Sequence, residues 1–195
     1  TELLDAALSP DASRLAFVQE DETRHMASLI VFDVASRATE RILESGDVYD
    51  VSWSPNSRQI AYVSKVNRDA KPELCIVDLR TKKSKVVLRG EYYTMTNQPW
   101  SPDGNQLVYD SIRKQGDLPT IMIYDFTSTM SQELVTPGGL ATWSPNGDQI
   151  AYVTLDQDKV AAMHLISPDG HQKATVLQDA GHRNDAIAST PLWSP

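Results

Sequence analysis

The 195-residue sequence predicts an all-β fold of β-propeller blades, each of four antiparallel strands, and three observations carry that prediction. All four tryptophans fall in one tripeptide: Trp53-Ser54-Pro55, Trp100-Ser101-Pro102, Trp143-Ser144-Pro145 and Trp193-Ser194-Pro195. A fifth copy, Leu8-Ser9-Pro10, lacks only the indole. The prolines at 10, 55, 102, 145 and 195 stand 45, 47, 43 and 50 residues apart, a period at which repeats form blades. Finally, the middle segments of each unit are apolar at consecutive positions, so both of their faces are covered. A sandwich would alternate on its outer faces, and helical repeats would show a 3.6-residue period.

The first strand of each unit ends at Ser-Pro, where proline presets φ for a turn. Asp11, Asn56, Asp103 or Asn146 follows as the turn former, and Gly104 and Gly147 supply a left-handed position in two of the turns. The second strand begins five residues after each proline: Leu15 to Val18, Ile60 to Val63, Leu107 to Tyr109 and Ile150 to Val153. The third covers Leu29 to Phe32, Leu74 to Val77, Ile121 to Tyr124 and Met163 to Ile166. Twenty-three residues after the first three prolines stand Asp33, Asp78 and Asp125; in the fourth unit Ser167 takes that place one residue early. The fourth strand runs through Arg41 to Leu43, Val86 to Leu88, Glu133 to Val135 and Thr175 to Leu177.

These offsets divide the chain into blades at about 1–45, 46–90, 91–138 and 139–183, with 184–195 as the first strand of a fifth. Propellers have about four to eight blades, so four blades plus one strand are expected to be part of a larger ring. Neither end carries a polar cap, which predicts self-association through the end blades.

Composition narrows the partners. With 26 acidic and 18 basic residues the formal net charge is −8, which opposes binding to a phosphate backbone and excludes nucleic acid. No apolar stretch approaches the roughly 18 residues of a membrane span, so membrane insertion is not expected. The chain opens at Thr1 with no initiator Met and no signal peptide, as after processing or trimming. A single cysteine, Cys75, has no partner for a disulfide, which fits the cytoplasm or a disulfide-free periplasmic protein.

Residues that could carry chemistry read mostly as structure. The repeated tryptophans are expected in seams between blades rather than lining a ligand channel. Asp33, Asp78 and Asp125 sit where a carboxylate can accept backbone N–H bonds and stop a strand, not as a metal-binding array. His164 falls at the blade position of Ile30, Cys75 and Met122, the place of a core histidine. His25, His171 and His182 lie in loops without ligand-like spacing, so no metal or other cofactor is expected. A nucleophile elbow and a glycine-rich phosphate loop are both absent, and no enzymatic activity is expected of the chain by itself. The segment Ser167-Pro168-Asp169-Gly170 reads as a hairpin turn, not as the start of a blade.

Candidate binding residues lie in the loops from second to third strand and in the segments between blades, which open together on one face of a propeller. The former are Glu20 to Ala27, Lys65 to Pro72, Arg113 to Pro119 and Asp156 to Val160. Arg24, Arg68, Lys71 and Arg113 come from them; Tyr92, Tyr93 and Met95 come from an inter-blade segment that, like Tyr49, carries interface-prone residues.

The units resemble the WD-repeat-like blades of the TolB propeller family, written roughly W-S-P-D-G-x-x-I-A-Y, then I-Y-x-x-D, then a strand ending in Leu. Trp100-Ser101-Pro102-Asp103-Gly104 matches that pattern, as does Ile150-Ala151-Tyr152, and Ile123-Tyr124-Asp125 fits in part. Leu8, Ser167, Ala12 and Ser57 depart from it. The resemblance implies a six-bladed ring, a non-enzymatic scaffold binding a protein or peptide, and a periplasmic or extracellular setting, with the cytoplasm open. The same blades cap prolyl oligopeptidase-like hydrolases, so an accessory propeller of such an enzyme is the alternative; a sugar-binding or lyase propeller is a third.

Overall fold

In the computed structural model, residues 2–67, 69–96, 98–114, 117–155, 161–178, 191 and 193 are described, with backbone only at 155 and 161. Arg68, His182, the loop 156–160 and the expected fifth-blade strand at 184–195, apart from Pro191 and Trp193, lie outside the described residues.

Among the described residues, sixteen strands form four antiparallel sheets of four, each in chain order. The first holds β1 (Glu2–Leu8), β2 (Arg14–Asp21), β3 (Met26–Asp33) and β4 (Thr39–Ser45). The second holds β5 (Asp47–Trp53), β6 (Gln59–Lys65), β7 (Glu73–Asp78) and β8 (Lys83–Arg89). The third holds β9 (Tyr92–Thr94), β10 (Gln106–Ile112), β11 (Thr120–Asp125) and β12 (Met130–Val135). The fourth holds β13 (Gly139–Trp143), β14 (Ile150–Leu155), β15 (Ala161–Ile166) and β16 (Lys173–Gln178). The all-β propeller-blade architecture is therefore as the repeat predicts.

The apolar runs of the second and third strands are the buried ones: Ile60 to Val63 and Leu74 to Val77 are all below 8% exposed. The fourth strands extend beyond their apolar residues, because hydrogen bonding to the third strand continues through exposed Ser84 and Ser131. β9 is shorter than the expected first strand. Pro99 offers no N–H for a ladder, and Trp100 keeps only an isolated bridge to Leu107.

One turn recurs at the end of each first strand. The hydroxyl of Ser9, Ser54, Ser101 or Ser144 donates to Asp11, Asn56, Asp103 or Asn146 and accepts the N–H five residues on. Ala12 and Ser57 take the left-handed φ, 56° in each, that Gly104 and Gly147 take in the other copies. The turn thus survives without glycine, held by its serine. Ser167 makes the same bonds to Asp169 and to Gln172 N–H, now between β15 and β16, so this copy is a hairpin turn as expected.

The chain forms two compact units, residues 1–93 and 94–195. In the first, Val18, Leu29, Val48, Trp53, Ile60 and Val77 belong to one core spanning both sheets. Trp53 Nε1 donates to the carbonyl of Ala7 at 2.8 Å, and Val51 N–H donates to Asp5 at 2.8 Å. Arg14 lies 5.1 Å over the Trp53 ring. In the second unit, Val108, Ile121, Ile123, Trp143, Ile150 and Tyr152 form the core. Trp193 Nε1 donates to Thr142 O at 3.4 Å, the same link one blade position before the next tryptophan. Buried Trp100 stacks on Phe126 with centroids 5.3 Å apart.

Candidate functional site

The aspartates at the ends of the third strands are turn caps. Asp33 accepts Ser36 N–H at 2.8 Å, Asp78 accepts Thr81 N–H at 2.7 Å and Asp125 accepts Ser128 N–H at 2.7 Å. Those backbone bonds are the main cause holding all three carboxyls below the usual range. Asp11 falls further, to about 2, chiefly through the Ser9 hydroxyl and then through Ser13.

His164 is buried, as its blade position predicts. Nε2 lies 2.8 Å from Thr154 Oγ1 and Nδ1 lies 3.1 Å from Thr175 Oγ1, and the ring stacks on Tyr152 at 5.0 Å. Burial, and secondarily the Lys173 charge, lower its pKa, so the ring is a neutral hydrogen-bonded core group. Among the described residues no three His, Cys, Asp or Glu side chains gather as a metal site would require. No helix there is long and apolar enough to cross a membrane.

The loop candidates make separate local contacts. Arg24 makes a two-pronged ion pair with Glu44 at 2.8 and 3.2 Å, which lowers the Glu44 carboxyl. Lys71 donates to Gly90 O at 2.7 Å. Tyr92 is 45% exposed, whereas Tyr93 and Met95 are buried. Tyr49 is half-buried, and burial followed by the Asp50 and Asp47 charges pushes its phenol up to about 12. Arg113 stands 3.8 Å from Glu133 and, with Asp117, Thr120 and Thr136, lines a hollow of about 360 Å³.

Beside this polar hollow, and sharing Leu118 with it, lies a second cavity of about 300 Å³ with mainly apolar walls. Leu118 and Pro119 from the β10–β11 loop form one wall. Pro137 and Gly138 of the β12–β13 connection and Gly139 and Leu140 at the start of β13 form the other, and Val153 of β14 adds to the lining. The two loops are tied by Gly138 N–H donating to Pro119 O at 2.9 Å. A side chain at Gly138 would meet Ile121 Cδ1 at 2.8 Å, so the buried Ile121 side chain would have to shift to admit one.

Asp110 of β10 also lines this cavity; it is 7% exposed, and its Oδ2 accepts Leu140 N–H at 2.8 Å, at a residue with φ of 57°. Sequence reasoning passed over Asp110 and the Pro137–Leu140 segment. A signal existed: the residue after the second-strand aromatic is Val18, Val63 and Val153 in the other three units, and Asp110 in the third.

The sequence matches the family described as "TolB beta propeller domain" over residues 4–195. It is 22% identical over 196 residues to the Tol-Pal system protein TolB of Francisella tularensis subsp. tularensis, covering 97% of this chain and 43% of that protein. The chain thus spans less than half the length of this curated relative. The crystal structure of TolB from Acinetobacter baumannii superposes with a TM-score of 0.71 at 20% identity, covering 91% of this chain and 44% of that one. A puromycin-hydrolysing peptidase of Mycobacterium tuberculosis gives a TM-score of 0.69 at 15% identity, with 98% and 30% covered.

Proposed function

Because the chain belongs to the TolB β-propeller domain family, we propose that it is a non-enzymatic binding module that presents its loop face to a protein or peptide partner. The observation that carries this reading is the pair of adjoining hollows on the loops of the second unit, one apolar and one charged, meeting at Leu118. Concave, largely apolar sites with few polar groups are where ligands and anchor side chains bind. The relatives named for the Tol-Pal system support a protein partner and a periplasmic setting. The peptidase likeness supports the second reading, an accessory propeller of a prolyl oligopeptidase-like hydrolase.

Photo-crosslinking in cells tests the proposal. A crosslinker at Arg113 or Leu118 is expected to capture one defined protein, while one at Asn105 or Thr129, on the turns at the other strand ends of the same sheet, captures none. Equal capture from both faces would refute a loop-face module. Capture of a hydrolase domain encoded in the same polypeptide would favour the second reading.

A further inference from the structure

We propose that Asn146-Gly147, in the turn between β13 and β14, is a site of spontaneous deamidation, at which the asparagine amide is lost as ammonia and a carboxylate takes its place. The reaction needs neither an enzyme nor a partner, so it goes beyond the binding reading above.

The repeat supplies an internal comparison, because Asn56 and Asn146 fill the same turn position with matching bonds. Each side-chain oxygen accepts a serine hydroxyl at 2.8 Å, from Ser54 or Ser144. Each also accepts the N–H two residues on, from Arg58 at 3.0 Å or Asp148 at 3.2 Å. The intervening backbone N–H donates to Ser54 O at 2.9 Å or to Ser144 O at 3.0 Å. What differs is the residue that carries this N–H. Ser57 is 3% exposed, and its Oγ accepts Asp11 N–H. Gly147 follows an exposed asparagine, has a φ of 78°, and carries no Cβ to shield its nitrogen. Asn146-Gly147 is the one Asn-Gly pair in the sequence.

The chemistry uses only these atoms and water. Once the turn opens at the bond to Ser144 O, the Gly147 N–H gives its proton to solvent base and the nitrogen bonds to Asn146 Cγ. Donors at Oδ1, the Ser144 hydroxyl and Asp148 N–H in the closed turn, favour the negative charge that develops there. The Cγ–Nδ2 bond then breaks, and Nδ2 takes a proton from water and leaves as ammonia. Water opens the resulting five-membered imide at either carbonyl, which leaves an aspartate or its β-linked isomer at 146. Nothing is oxidised or reduced. Asn146 Nδ2 donates to Asp148 Oδ2 at 2.9 Å, so the product sets two carboxylates face to face. The third unit keeps a complementary pair there, with Asn105 donating to Asp103 Oδ2 at 2.8 Å.

The test is to hold the folded full chain in warm, mildly alkaline buffer made with heavy-oxygen water, then to map its peptides by mass spectrometry and separate its charge variants by ion exchange. Asn146 is expected to convert to a mixture of the two isomers, each carrying one heavy oxygen, with a more acidic charge variant appearing at the same rate. Conversion at Asn56 is expected to be slower by about tenfold or more, a barrier difference of about 1.4 kcal/mol. Gly147→Ala is expected to slow conversion at Asn146 about as far, again about tenfold. Its fold should hold, because Ala12 takes the same left-handed φ in the first unit and a Cβ at 147 meets only Pro102, at 3.4 Å. Ser57→Gly, which builds the same dipeptide in the second unit, is expected to bring Asn56 toward the rate of Asn146. An intact Asn146, equal rates at Asn56 and Asn146 in the parent chain, or conversion that Gly147→Ala leaves unchanged would overturn the proposal.

Discussion

Three tyrosines occupy one repeat position, and their hydroxyls meet different fates, so one substitution should change stability in opposite directions. Tyr62 donates to Ser84 Oγ at 3.0 Å, and Tyr109 donates to Ser131 Oγ at 2.8 Å. Ser84 lies opposite Val77, and Ser131 lies opposite Tyr124. In the fourth sheet the residue opposite Ile166 is Lys173, because the β15–β16 turn begins one residue early. Lys173 cannot accept a hydrogen bond; its ammonium sits 5.5 Å from the Tyr152 ring centroid instead. Tyr152 is fully buried, and its hydroxyl has no partner among the described residues.

A typical hydrogen bond contributes about 0.5–1.5 kcal/mol, whereas an unsatisfied buried polar group costs about 1–3 kcal/mol. Tyr62→Phe and Tyr109→Phe should therefore destabilise by roughly 1 kcal/mol each, and Tyr152→Phe should be neutral or stabilising by up to about 2 kcal/mol. With a urea m-value of about 2–3 kcal/mol/M, the first two midpoints fall by about 0.4 M and the third holds or rises. The first unit already carries phenylalanine at this position, Phe17. Urea unfolding followed by far-UV circular dichroism measures all three variants alongside the parent chain. A Tyr152→Phe loss equal to the other two would refute the reasoning, since the hydroxyl must then have an acceptor.

Trp53→Phe should cost about 1 kcal/mol through the lost bond to Ala7 O, and Trp53→Ala about 3–5 kcal/mol, both read as denaturation midpoints. Ser54→Ala removes both the acceptor for Gln59 N–H and the donor to Asn56, and should destabilise by about 1 kcal/mol in the same assay. The pKa of His164 is lowered from 6.5 on folding, so the unfolded chain takes up the proton first as pH falls. Its contribution is therefore complete above 6.5 and is lost as pH drops from there toward the folded value; midpoints measured between pH 8 and 5 should decline, and less so in His164→Gln.

The fold was legible because each blade repeats its turn chemistry and its apolar runs at fixed offsets. Ser-Pro-Asp/Asn announced the turn, and the Ile-Ala-Tyr-Val type of run announced the buried strand. The shortened β9 was less visible, since Trp100-Ser101-Pro102 is the most regular copy of the motif and the disruption comes from Pro99 before it. The candidate site was legible only in part. Arg113, taken from a loop between second and third strands, lines a hollow, whereas Tyr93 and Met95, taken from an inter-blade segment, are buried. The cavity depends on the β12–β13 connection returning beside the β10–β11 loop, a meeting of segments some twenty residues apart that no local pattern encodes. Asp110 was detectable only by aligning the four units against one another and noticing a charge where the other copies bury valine.

The central claim, that the loop face is the binding face, is tested most directly by the affinity of the crosslinked partner, once purified, for matched surface variants. Leu118→Glu and Arg113→Glu on the β10–β11 loop should each weaken binding by about tenfold or more without moving the urea midpoint, while Asn105→Ala and Thr129→Ala on the turns at the other strand ends of the same sheet should change it less than about twofold. Affinity lost through the turn variants, with the loop variants binding like the parent chain, would contradict the account.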